Sequence, residues 1–390
     1  MSDPLATVVK LCTAIGEIDA AQWDACANPD AGRYNPFVGH AFLKALEDAK
    51  CVGDGTGWLP RHLVLEDDRG RVCGVAPCYI KTHSQGEYVF DHAWADASHQ
   101  AGLRYYPKLQ IAVPFTPVPG PRLLVRPGAD AKANEQVLAA AAIEVAKQNG
   151  LSSVHLTFLD QSAQQSLAGL GYLARTGQQF HWQNAGYRTF EDFLATFASR
   201  KRKSVRKERA EAIAPGIAIE HITGAAITEA HWDAFHDFYV DTGNRKWGRP
   251  YLNRAFFSLL GQTMPERCLL VMAKREGRYI AGALNMTGGD CLYGRYWGAI
   301  EQHPSLHFEV CYYQAIDYAI AHGLARVEAG AQGEHKLARG YLPVETYSAH
   351  WLAEPGLHRA VEKFLKRERT MVAESNDALT EMGPYRKEAD

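Results

Sequence analysis

The chain has 390 residues, 46% of them hydrophobic and 22% charged, with 42 Lys+Arg against 44 Asp+Glu. That composition is globular rather than disordered or fibrous, and at about 150 residues per domain it makes room for two to three domains. A net charge of -2 excludes a globally basic nucleic-acid coat and an acidic tail protein, so any contact with nucleic acid has to come from a local patch.

The cysteines at 12, 26, 51, 73, 78, 268, 291 and 311 form no C-x-x-C pair, and scattered thiols in a large chain suit a reducing cytoplasm better than a disulfide scaffold. The first twenty residues carry Asp3, Glu17 and Asp19 and lack the basic start and apolar run of a signal peptide. No stretch approaches the ~18 apolar residues of a membrane span. A cytoplasmic location with no membrane span is the expectation.

In chain order, residues 61–80 read as a hairpin around Asp67-Asp68-Arg69-Gly70, and 87–96 as an aromatic strand with Trp94. Residues 141–160 read as an Ala-rich helix, a Gly150 stop and a strand. Residues 167–182 close this half on Trp182. The same series then returns. Residues 268–287 form a hairpin around Arg275-Glu276-Gly277, 291–300 an aromatic strand with Trp297, and 312–331 a helix, a Gly323 stop and a strand. Residues 336–351 then close on Trp351. Several segments repeating in one order mark a duplicated domain rather than a solenoid. The tail from Pro355 reads as a docking helix, with Leu357, Val361, Phe364 and Leu365 at helical spacing. Its sharper alternative is a surface for a membrane or partner.

Hairpin, strand, helix and strand follow one another as in the acetyltransferase (GNAT) fold. The segments 105–124, 200–209, 244–252, 306–320 and 330–351 resemble one bacterial family, the peptidoglycan biosynthesis/recognition family of Fem-like N-acyltransferases. The resemblance implies an α/β fold with mixed sheets. Two tandem GNAT-like domains, 1–183 and 184–390, would form a shared cleft, the second ending in the helical tail. It also implies transfer of an acyl or aminoacyl group onto an amine-bearing small molecule or peptide. The donor would be aminoacyl-tRNA or acyl-coenzyme A, with no tightly bound cofactor.

Four groups of residues are candidates for that chemistry. Thr189-x-x-Asp192 opens a helix whose Phe190, Phe193, Leu194 and Phe197 share an apolar face, and which then carries seven cations in ten residues between Arg200 and Arg209. Lys201, Arg202 and Lys203 in this run suit phosphate, as in tRNA, a nucleotide or a lipid head group; the plain alternative is a solvated helix. Arg245, Lys246, Trp247, Arg249 and Tyr251 form a loop closed by Gly248 and Pro250, in which the arginines could fork onto carboxylate or phosphate. Glu309 and Tyr313 lie four apart at a helix start and could take or relay the proton of an attacking amine. His335 and Lys336 follow a strand end, where one could shuttle a proton and the other stabilise an oxyanion. In the first half, Asp91, Trp94, Tyr105, Tyr106 and Lys108 are polar or amphipathic enough to line the cleft on the acceptor side.

Missing motifs narrow the reading. The coenzyme A pyrophosphate loop [RQ]-x-x-G-x-[GA] has no counterpart at 301–306 or 126–130, which favours an aminoacyl-tRNA or an unusual acyl donor. His303 and His307 are separated by Pro304 and lack a third ligand, so no metal site is expected. No G-x-S-x-G, P-loop or G-x-G-x-x-G appears. The competing reading is a non-catalytic module that recognises a cell-wall precursor or tRNA through its basic segments. Fold alone does not separate the two, and oligomeric state is not legible.

Overall fold

The computed structural model describes residues 8–246, 250–331 and 333–386. In chain order the strands are β1 (Val8–Cys12), β2 (Trp58–Pro60), β3 (His62–Glu66), β4 (Val72–Ala76), β5 (Cys78–Lys81), β6 (Lys108–Ile111), β7 (Leu124–Val125), β8 (Ser153–Leu159), β9 (Leu173–Gln183), β10 (Ile217–Thr223), β11 (Cys268–Arg275), β12 (Arg278–Thr287), β13 (Cys291–Ala299), β14 (Arg326–Glu328) and β15 (Leu342–Leu352). The helices are α1 (Ala20–Ala27), α2 (His40–Asp48), α3 (His92–Gln100), α4 (Ala131–Gln148), α5 (Gln161–Ser166), α6 (Phe190–Ala195), α7 (Ser199–Ile213), α8 (Glu229–Lys246), α9 (Arg254–Thr263), α10 (Leu306–Phe308), α11 (Gln314–Ala321) and α12 (Pro355–Glu381). A π-turn, Glu309–Tyr313, joins α10 to α11.

The chain folds into two GNAT-like units. Unit 1 takes residues 8–31, Phe37–Gly177 and Glu345–Glu374; unit 2 takes Gly32–Pro36, Gln178–Val344 and residues 375–386. Unit 1 holds the sheet β1-β3-β4-β7 and the neighbouring strands β15-β8-β6-β5-β2. Helix α4 lays Leu138, Ala139, Ala142 and Ala146 among Leu63, Leu109, Val154 and Leu156; each fully buried Leu or Val contributes roughly 1.5–3 kcal/mol. Unit 2 holds β10-β11-β12-β13-β14-β9, packed against Val310, Ile316 and Ala319 of the π-turn and α11. Gly150 and Gly323 stop α4 and α11 at φ 62 and φ 64, a left-handed turn that a Cβ would strain.

The duplication is visible in strand register. In unit 1, β6 runs parallel to β8 with Leu109 opposite Val154; in unit 2, β13 runs parallel to β14 with Leu292 opposite Val327. Trp351 pairs with Val154, and Trp182 with Val327. The two tryptophans are therefore equivalent, but each has crossed over. The last strand of the first half completes unit 2, and the last strand of the second half completes unit 1. The boundary expected at residues 183/184 does not divide the units for this reason.

Two other expectations change. Residues 87–96 are not a strand: the chain is irregular as far as Asp91, and α3 then begins at His92. The run His-Ala-Trp-Ala-Asp-Ala is rich in helix-forming alanine, and Trp94 turns inward onto Val361 and Leu365. The capped helix at Thr189 does form its reciprocal box with Asp192, but it ends at Ala195. The Thr196 hydroxyl donates to the Phe193 carbonyl and the Ala198 amide to the Pro384 carbonyl, so the basic segment is a separate helix, α7.

Candidate active site

In unit 2 the pairing of β13 with β14 ends at Tyr293–Glu328. Gly294 follows, close enough to β12 and β14 that a Cβ there would meet Asn285 Oδ1 at 3.2 Å and the Glu328 carbonyl at 3.6 Å. Arg295 fills the parting between the strands. Its Nη1 donates to the Gly294 and Glu328 carbonyls at 3.0 and 3.3 Å, and its Nη2 reaches Glu328 Oε2 at 3.1 Å. Arg326 supports the same carboxylate at 3.4 Å while forking onto Asp290 at 2.8 and 2.7 Å. His181 lies opposite Glu328 on β9, and burial pushes its imidazole down to about 4. Asn285 is fully buried, with no hydrogen-bond partner for either side-chain polar atom among the described residues.

Lys336 stands beside this parting on a 3-10 turn, Glu334–Arg339. Its ammonium nitrogen donates to the Gly330 carbonyl at 3.1 Å. The side chain is 2% exposed. Burial, followed by the nearby Arg295 charge, pushes it down to about 7, so an amine and an ammonium coexist at neutral pH. The next-door His335 shares a 2.8 Å hydrogen bond with the Tyr312 hydroxyl, and its backbone carbonyl accepts from Arg339 at 2.6 Å. Arg339 is itself stacked 3.3 Å over Phe308 and paired with Glu208 at 2.9 Å. His335 and Tyr312 thus belong to one polar and aromatic set, and Lys336 follows His335 on the same turn.

Glu309 and Tyr313 lie on a face that α7 covers. Arg209 forks onto Glu309 at 3.2 and 3.0 Å and also reaches Asp317 at 2.6 Å, while Gln314 donates to Glu309 at 2.7 Å. The Tyr313 hydroxyl donates to Glu208 at 2.5 Å, and burial raises its pKa far above the ordinary phenol value. A 2%-exposed carboxylate whose oxygens already receive three donors is a structural anchor for α7 rather than a poised base. On α7, Arg200, Lys201, Lys203 and Lys207 are exposed and form no ion pair among the described residues, and Arg202 is half-buried. Arg206 and Arg209 are committed to Glu191 and Glu309.

A cavity of about 350 Å³ is lined by Thr242, Trp297, Ala299, Glu301, Gln302, His303, Leu306 and His307. One lining residue, His307, has its ring 5.3 Å from Tyr312 and 6.0 Å from His335. The cavity lies ahead of the helix that follows β13, at the loop 301–306 in which the sequence lacks the coenzyme A pyrophosphate motif. Here that place presents a carboxylate: His303, then Arg278 and Arg275, hold Glu301 down to about 2. Ser305 at the helix start adopts φ 60 and donates to Glu211. The loop therefore offers no amide cradle of the usual kind for phosphate.

In unit 1, Asp91, Trp94, Tyr105, Tyr106 and Lys108 do come together. Lys108 binds Asp91, Tyr105 donates to Asp91 at 2.6 Å, and Trp94 and Tyr105 share a buried cluster against which Tyr106 packs. Of the expected loop at 244–251, Arg245 and Lys246 belong to α8 by backbone; their side chains, and all of Trp247 and Arg249, lie outside the described residues. Tyr251 is half-buried beyond that stretch. Arg295, Glu328, His181 and Asn285 escaped the sequence reading, and Trp297 enters it only as the tryptophan of an aromatic strand. The one available signal was register across the repeat, which aligns Tyr293–Glu328–His181 with Gln110–His155–His350.

The family FemAB_like, described as peptidoglycan biosynthesis/recognition, matches residues 14–387. The chain belongs to that family. Among solved structures, the FemAB-like chain is similar to FemX, with a TM-score of 0.55 and 14% identity over 88% of this chain and 98% of that one. It also resembles L-PGS from Bacillus licheniformis, with a TM-score of 0.51 and 11% identity over 85% and 98%. The C-terminal domain of a lysylphosphatidylglycerol synthetase-type protein from Agrobacterium fabrum gives a TM-score of 0.55 and 8% identity over 89% and 96%. At these identities the likeness is one of fold. No curated protein matches the sequence. In this FemAB-like chain no helix among the described residues is long and apolar enough to cross a membrane.

Proposed function

We propose that this FemAB-like protein is an N-acyltransferase that moves an acyl or aminoacyl group onto an amine, with the reacting centre in unit 2 at Lys336. The observation that carries the reading is a buried lysine lowered to about 7 and bonded to the Gly330 carbonyl just past β14, next in the chain to a His335 that bonds Tyr312, with a cavity large enough for part of a donor whose lining His307 lies 5.3 Å from Tyr312. In the reaction the substrate amine attacks the acyl carbonyl and a C–N bond forms. The carbonyl oxygen takes up the electron pair, and the protonated fraction of Lys336 stabilises it. The amine proton leaves through the His335–Tyr312 pair, and the acyl C–O or C–S bond breaks as the leaving group is protonated.

Aminoacyl-tRNA is the favoured donor over acyl-coenzyme A. Glu301 stands where a pyrophosphate would sit, and the unpaired cations Arg200, Lys201, Lys203 and Lys207 give α7 the character of a phosphate-tracking surface. Glu309 is left out of the mechanism because Arg209 holds it.

Mass spectrometry of the purified protein with charged tRNAs, acyl-coenzyme A donors and a panel of amine acceptors tests the proposal, scored for new amide. An amide that depends on a donor and disappears in Lys336→Met supports it. Binding of tRNA with no amide from any donor would instead establish the recognition module.

A further inference from the structure

A dense group of buried charges lies in unit 1 and is unused by the transfer chemistry. Lys81 and Lys108 stand directly opposite each other in the β5–β6 pairing, and both are fully buried. Two ammonium groups side by side on adjacent strands repel unless an anion sits between them. The irregular segment Thr82–Asp91 supplies that anion. Lys108 donates to Ser84 at 2.9 Å, Glu87 at 2.7 Å and Asp91 at 2.5 Å. Lys81 lies 3.7 Å from Glu87, donates to the Gln85 carbonyl at 3.2 Å and sits 3.8 Å over the Trp58 ring. Tyr106 bonds Ser84 at 2.8 Å.

Two features show that this segment is a poor permanent partner. Among the described residues Asp91 Oδ1 lacks a hydrogen bond and Glu87 Oε1 has only the 3.7 Å ion pair with Lys81, although both side chains are at least 96% buried. The segment contains no helix or strand, and Tyr88 within it takes φ 60, a left-handed conformation that stores strain in a bulky residue. A network serving stability alone is as well replaced by apolar packing. Retaining two lysines, two carboxylates and a strained connector at one place calls for another use.

We propose that Lys81 and Lys108, with Ser84 and Tyr106, form a binding site for an oxyanion carrying two or more negative charges, and that Glu87 and Asp91 are its displaceable internal occupants. The ligand is a diphosphate or a dicarboxylate. It replaces Glu87 and Asp91 on the two ammonium groups, and Thr82–Asp91 moves out as it enters. The surrounding groups favour this exchange. Burial keeps His155 neutral, down to about 3, so it does not compete as a cation. The weaker internal contact, Lys81–Glu87, joins two groups that burial has brought to about 7 each. The inference is independent of the transferase reading.

The test is hydrogen–deuterium exchange of the wild-type protein across residues 82–91, with inorganic pyrophosphate in one arm and glutarate in the other, beside calorimetric titration of each. Binding accompanied by faster exchange at 82–91 supports the proposal, and the arm that responds identifies the oxyanion source. Glu87→Gln removes one internal competitor and is expected to tighten binding about tenfold, equivalent to about 1.4 kcal/mol, whereas Lys108→Met abolishes it. If Glu87→Gln fails to fold, the wild-type exchange and titration decide alone. No binding of either anion by the wild type, or binding that leaves exchange at 82–91 unchanged, would overturn the proposal.

Discussion

Replacing Lys336 with methionine should yield a protein that is both more stable and inactive. The folded protein lowers this lysine from 10.5 to about 7, which at about 1.4 kcal/mol per unit corresponds to roughly 5 kcal/mol of burial penalty. Methionine fills similar volume without that penalty and forfeits the hydrogen bond to Gly330, a loss of about 1 kcal/mol. A net gain of about 2–4 kcal/mol at neutral pH is expected. Between pH 7 and 10.5 the unfolded chain holds this proton and the folded chain has released it, so wild-type stability rises with pH there. Below 7 both states are protonated and the penalty is complete. Urea unfolding of wild type and Lys336→Met from about pH 7 to about pH 9 should therefore show the variant's advantage shrinking by about 1.4 kcal/mol per pH unit. Comparing the two proteins cancels the contribution of Lys81, which is lowered similarly. Parallel stability profiles, or a variant that keeps amide-forming turnover, would refute the reasoning.

Three further outcomes follow from the same geometry. Glu309→Gln should leave the pH profile of turnover unchanged and lower the unfolding free energy by about 2 kcal/mol, because Arg209 keeps its charge and loses its forked acceptor; a lost acidic limb in the rate profile would restore Glu309 as a base. Reversing Lys201, Lys203 and Lys207 to glutamate should weaken tRNA binding and reduce its salt slope by about two to three, while stability at these exposed positions changes by less than about 0.5 kcal/mol; an unaltered slope would remove α7 from donor capture. Trp297→Ala, which empties one wall of the cavity, should raise the donor KM about tenfold with kcat retained; an unchanged KM would mean that the donor bypasses this cavity.

The parts of this structure legible in the sequence are those set by local chemistry. Asp67–Gly70 turns a hairpin, Gly150 and Gly323 stop helices, and Thr189 and Asp192 cap one, because each signal acts within a few residues. The break between α6 and α7 was hidden, since the Ala198 amide is taken by Pro384, far along the chain. Glu309 invited a catalytic reading from its spacing to Tyr313, but its environment is set by Arg209, which no pattern within 306–320 reveals. Arg295 and Glu328 looked like ordinary strand residues; their importance comes from the end of pairing at Tyr293–Glu328. The exchange of β9 and β15 was invisible for a different reason. The two halves carry the same motif, so a strand that joins the other copy leaves the same trace as one that stays.

That exchange has a consequence for how the protein is made. When the ribosome has released the first half, β8 still lacks its neighbour, because Tyr347–Leu352 has yet to be synthesised. An open edge carrying Val154, Leu156 and Leu159 stays sticky during translation of nearly all the rest. Gene fragments cut between the halves should therefore express as insoluble material, and the pair should prove resistant to recombination that shuffles one copy without the other.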